Sequence, residues 1–134
     1  MDSYDKLSNQ FKTGDIILFN NNHWFSWFGP FSWAIKYFTK SDWSHIGMIV
    51  KDPEFTDSEL EKGLYLWESS LEFFKEAENH KIKLGVQITP LNEILDAYKN
   101  TGHVFYRKMI TADNTFNNDI LSQIHNVVYD KPYD

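Results

Sequence analysis

The chain has 134 residues, 42% hydrophobic and 17% aromatic, with 13 Lys and Arg against 19 Asp and Glu. That length suits one domain with its own core, and the composition excludes a disordered chain. A formal charge of -6 argues against a nucleic-acid partner, and the lack of cysteine excludes disulfides, thiolate metal sites and a cysteine nucleophile within these residues.

No stretch approaches a membrane span, and no charged-then-apolar leader precedes Gly14. The expectation is therefore a soluble, unprocessed, cytoplasmic protein. The heavy use of Asn, Lys, Tyr and Phe points to an AT-rich genome, such as that of a large DNA virus or a protist.

Residues 1–12 are polar and read as a loose lead-in to a single domain over 13–134. Lys12-Thr13-Gly14 is a turn and 15–19 a short buried strand, with Asp15 as a turn carboxylate that bonds nearby backbone N–H groups. An aromatic loop through Trp24 and Trp27 leads to Pro30, which suits the first turn of a helix over 30–39. Phe31, Ala34, Ile35 and Phe38 would form its core stripe. Trp24, Trp27 and Trp33 either extend that packing or form an exposed rim for a lipid or partner.

The strand 43–50 places His45, Gly47 and Ile49 on one face and Ile46, Met48 and Val50 on the other. Gly47 leaves space beside His45 where a ligand or another backbone could approach. In the strand 64–69, Glu68 shares a face with Leu64 and Leu66, a carboxylate where an apolar residue is expected. If the two strands pair antiparallel, one register sets His45 opposite Glu68, which would hold the imidazole in one tautomer. Otherwise His45 is a core histidine satisfied by a carbonyl, and Glu68 ends its strand in water.

The segment 71–84 reads as a charged surface excursion. A strand over 86–89 leads through Pro90 into a helix over 91–99, and 103–108 forms the last strand. Asp113 would cap a final helix over 113–129, with Phe116, Ile120, Ile124 and Val127 inward. The five histidines form no i, i+4 pair, and no HExxH, phosphate loop or GxSxG elbow occurs. No metal or cofactor is expected.

Taken in order, these pieces resemble a known family. They are Gly14–Phe19, a helix, Ser44-His45-Ile46-Gly47-Met48-Ile49-Val50, Trp67-Glu68-Ser69, Gly85-Val86-Gln87 before Pro90-Leu91, Tyr106-Arg107, and Lys131-Pro132-Tyr133-Asp134. The family is the circularly permuted papain-like branch of the NlpC/P60 superfamily, with its YiiX-like and poxvirus members.

The resemblance implies an α+β fold, a small antiparallel sheet packed with helices, and a thiol hydrolase acting on amide or ester bonds of peptides or lipids. It makes His45 the general base and Glu68 the residue that orients it. Ser44, Gly47, Trp24 and Tyr133 would contribute to substrate binding. The family's cysteine lies on a helix after the Lys-Pro-Tyr-Asp segment, a position this sequence does not reach. The domain is therefore expected to be incomplete at its C-terminus. The 134 residues alone should be inactive, with an open groove beside His45 that invites a second copy. The alternatives are an inactive peptide- or lipid-binding relative that keeps the groove, or a scaffold with neither activity.

Overall fold

The computed structural model describes residues 3–21, 37, 42–70, 74–82, 84–100, 102–112 and 114–132. Apart from Tyr37, the helix expected at 30–39 lies outside them, as do His23, Trp24, Trp27, Trp33, Asp113 and Tyr133.

The described elements are α1 (Ser3–Ser8), β1 (Ile16–Asn21), β2 (His45–Lys51), β3 (Leu64–Ser70), β4 (Gly85–Pro90), α2 (Leu91–Tyr98), β5 (Gly102–Arg107) and α3 (Asn118–Val128). The strands form one five-stranded sheet in the order β4-β3-β2-β1-β5. Every neighbouring pair is antiparallel. The α+β class and the antiparallel sheet are as expected. β4 and β5 are the two edges, so the chain between them must cross the whole sheet. α2 makes that crossing and packs on β3, β4 and β5.

Side chains pack against both faces of the sheet. On the first, Ile17, Phe19, Ile49 and Leu66 meet Leu91, Ile94 and Tyr98 of α2. The i, i+3, i+7 spacing of those α2 residues aims one stripe at the strands. On the second face, Val50, Tyr65, Trp67 and Ile88 pack with Phe55 and with Leu121 of α3.

Three expectations are corrected. The lead-in is not loose: 3–8 are helical, Leu7 packs on the first core, and Phe11 is buried within it. The segment 71–84 is not merely a surface excursion. Ala77 N–H donates to the Ile88 carbonyl, Lys75 bridges Ile82, and Glu76 and Glu78 are buried.

Third, the last helix is turned about its axis relative to the expected face. Leu121 and His125 point inward with Val128 packed beside them, while Ile120, Ile124 and Val127 are exposed. Both stripes have helical spacing, so periodicity cannot choose between them. The choice falls to His125, whose partner is a buried carboxylate. The helix starts with Asn117, whose side chain accepts from Ile120 N–H at 3.0 Å.

Asp15 does more than close a turn. It accepts from Lys12 N–H at 2.9 Å, as expected, but also from Tyr106 Oη at 2.8 Å and Met109 N–H at 3.0 Å. It thus ties the start of β1 to the end of β5. Burial, the hydrogen bond to Asp15 and the Asp15 charge together push the Tyr106 phenol up to about 12 from 10.0. The fold favours the neutral phenol, so this contribution is whole below pH 10 and is lost as the pH climbs toward 12. Asp15→Ala should lower stability in urea by roughly 3 kcal/mol, because it orphans three donors. Tyr106→Phe should flatten the loss of stability above pH 10. An unchanged urea midpoint in the first variant, or an unchanged alkaline profile in the second, would contradict this assignment.

Candidate active site

His45 opens β2 on the first face of the sheet, directly opposite Phe19 of β1. The two rings lie 5.5 Å apart. The preceding residue is fastened to the same strand: Ser44 N–H donates to the Phe19 carbonyl at 2.9 Å, and Ser44 Oγ reaches it at 3.3 Å. β1 therefore sets the position of the His45 backbone before any side chain is considered.

The β2–β3 register pairs Met48 with Trp67 and Ile49 with Leu66. Continued by one residue, it sets Glu68 opposite Gly47 rather than opposite His45. The carboxylate therefore faces a residue with no side chain and reaches diagonally to the imidazole. His45 Nε2 and Glu68 Oε2 are hydrogen bonded. The His45 side chain is 19% exposed and that of Glu68 only 2%. A buried carboxylate thus anchors an imidazole that still touches solvent.

A carboxylate can only accept, so the ring nitrogen bonded to it carries the proton. With Nε2 committed to Glu68, proton exchange with a reacting group falls to Nδ1. This division of the two nitrogens is what a general base held by an orienting acid requires.

The other site candidates fare differently. A Cβ on Gly47 would lie 2.6 Å from Leu66 Cγ, so a packed side chain, not a ligand or backbone, occupies the space this glycine leaves. The Ser44 hydroxyl is directed to the β1 backbone. Trp24 and Tyr133 fall outside the described residues. A cleft of about 420 Å³ elsewhere is lined by Lys12, Asp15, Lys108 and Phe116, among others, and includes neither His45 nor Glu68. Among the described residues no group of three or more His, Asp or Glu could hold a metal ion.

A second histidine–glutamate pair, invisible in the sequence, lies on the opposite face. His125 Nε2 and Glu78 Oε2 are 2.8 Å apart, each side chain 1% exposed. Glu78 Oε1 accepts from Asp57 N–H at 3.0 Å, and Tyr129, Phe55 and Trp67 surround the imidazole. No reactant reaches it, so its role is to hold α3 against the loop at 76–79. No periodic signal could have joined a helix residue to a carboxylate in an irregular loop.

Comparisons with known proteins add a viral relative. No protein-family model matches the sequence. An uncharacterized protein of Acanthamoeba polyphaga mimivirus is 38% identical over 71 residues, covering 44% of this chain and 26% of that protein. The chain thus spans about a quarter of the relative's length. Composition points to the AT-rich genome of a large DNA virus or a protist, and this relative is viral. No described helix is long and apolar enough to cross a membrane.

Both pairs should be costly to break. His125→Ala strands a buried carboxylate and should cost about 3–5 kcal/mol in urea unfolding. His45→Ala strands Glu68, which is equally buried, and should cost roughly 3 kcal/mol. An unchanged urea midpoint in either variant would mean that its carboxylate is met by another donor.

Proposed function

We propose that the chain carries the base-bearing part of a permuted papain-like thiol hydrolase domain, of the NlpC/P60 type that its motif order resembles. The observation that supports this best is the bond between a part-exposed His45 and a buried Glu68 on neighbouring strands. A core histidine would be enclosed, as His125 is, and a surface histidine would have no buried carboxylate beneath it.

In this reading His45 takes a thiol proton at Nδ1, and Glu68 stabilises the imidazolium that forms. A neighbouring imidazolium favours thiolate, the reactive species. After attack on an amide or ester carbonyl, His45 returns the proton to the leaving amine or alkoxide. The 134 residues contain no cysteine, so this reading requires a thiol that they do not supply. Residues 131–132 already lie at the relevant end of the sheet. Val86 N–H donates to the Lys131 carbonyl, and a Cβ on Gly85 would meet that carbonyl at 2.2 Å. Gly85 pairs with Ser70, two residues past Glu68. The substrate class is a peptide amide or an acyl ester.

A second reading, a peptide- or lipid-binding module without turnover, is favoured by a different surface. Leu18 pairs with both Ile46 and Phe105, which are 55% and 48% exposed, and Trp43 meets Phe105 edge-on. This apolar row lies on the face of the sheet away from His45.

The test uses the polypeptide encoded by the whole reading frame. One cysteine in it should react with iodoacetamide at pH 6 at least tenfold faster than a free thiol, and His45→Ala should remove both that excess and any hydrolysis of acyl or peptide substrates. The 134-residue chain alone should show no turnover. Absence of a fast-reacting cysteine, or hydrolysis that survives His45→Ala, would overturn the hydrolase reading.

A further inference from the structure

The row of polar side chains at this end of the sheet does not stop at Glu68. β4 pairs Gln87 directly with Glu68, so the two side chains stand on the same face with Cβ atoms about 5 Å apart. Gln87 is 1% exposed, and neither its Nε2 nor its Oε1 has a hydrogen-bond partner among the described residues. Glu68 spends Oε2 on His45, and its other oxygen, Oε1, is buried with no such partner either. An orphaned acceptor and an orphaned amide donor therefore stand side by side on one face of one strand pair. Buried polar groups are very largely hydrogen bonded in native proteins, and here each supplies what the other lacks.

We infer that Gln87 is a positioning residue of the His45 site: its amide nitrogen donates to Glu68 Oε1, directly or through one enclosed water, and so holds the carboxylate that holds the imidazole. His45, Glu68 and Gln87 then form a continuous row across β2, β3 and β4. A carboxylate held at one oxygen can swing about that contact; one held at both cannot. The inference rests on reading His45 and Glu68 as a working pair and goes beyond it by assigning the group that fixes Glu68. It also gives a role to a buried glutamine whose strand neighbour Ile88 is apolar and equally buried.

The experiment follows His45 by NMR titration in the 134-residue chain. The amide turns the positive end of its dipole toward Glu68 and draws the carboxylate's charge away from the imidazole. Gln87→Leu, close in volume, should therefore raise the His45 titration midpoint by roughly half a unit. In a Glu68→Gln background the same substitution should leave the midpoint unmoved, because Gln87 acts through that carboxylate. Gln87→Met serves if the leucine variant does not fold. In the unmutated chain the Gln87 side-chain amide protons should exchange slowly with solvent and move when Glu68→Gln is introduced.

A midpoint unchanged by Gln87→Leu or Gln87→Met, or an equal change in both backgrounds, overturns the inference. If Glu68→Gln alone lowers the midpoint while the Gln87 variants do nothing, only the role of Gln87 falls. If Glu68→Gln alone leaves the midpoint unmoved, the His45–Glu68 pair falls and Gln87 with it.

Discussion

A carboxylate drawn into the interior of a sheet must be met by a donor, and meeting Glu68 is the constraint that organises this end of the fold. The side chain is 2% exposed, so its charge cannot be left to water. Its donor is His45, which the antiparallel register brings to it diagonally across Gly47. That geometry needs β1 to fasten the start of β2, through the two contacts of Ser44 with the Phe19 carbonyl. It also needs α2 to cover the first face, where Leu91, Ile94 and Tyr98 complete the core beneath Phe19 and Leu66. Burial of these side chains stabilises the sheet. The polar pair sits at its margin, where one imidazole edge still meets solvent.

The same two residue types, used twice, do two different things. His125 and Glu78 are both enclosed, with aromatic rings on several sides and a backbone donor on the second carboxylate oxygen. That pair is a fastening between α3 and a loop. Breaking it would leave a charge uncompensated in the interior, which is why its loss is costly even where its net contribution to stability is modest. His45 differs in access, and access is what a proton-transfer group needs. Burial, not residue identity, separates the fastening from the candidate site.

Much of the sheet was legible in the sequence because a half-buried strand alternates. The runs around Ile17, Ile49, Leu66, Ile88 and Val104 announced all five strands to within a residue or two of their bounds. The same alternation set His45 with Ile49 and Glu68 with Leu66 on their own strands, but neither their meeting nor its diagonal offset followed, since register depends on partner strands that no local pattern encodes. α3 was misoriented because Ile120, Ile124 and Val127 make as good an apolar stripe as Leu121, His125 and Val128. What decided the matter was a carboxylate at Glu78, distant in sequence. Phe11 was lost among polar neighbours, though one large aromatic suffices to tie a terminal segment to a core. Gln87 was visible only as a polar residue inside a strand, and its meaning needed the pairing with Glu68.

Whether Glu68 orients His45 is decided by how the two imidazole nitrogens are used. Long-range proton–nitrogen NMR of the imidazole at neutral pH reads this directly, since protonated and bare ring nitrogens resonate far apart. An imidazole oriented by Glu68 should show a proton fixed on Nε2, an unprotonated Nδ1, and a ring released to tautomer averaging when Glu68→Gln weakens its acceptor. A proton found on Nδ1, or a tautomer ratio that Glu68→Gln leaves unchanged, would contradict that role for Glu68.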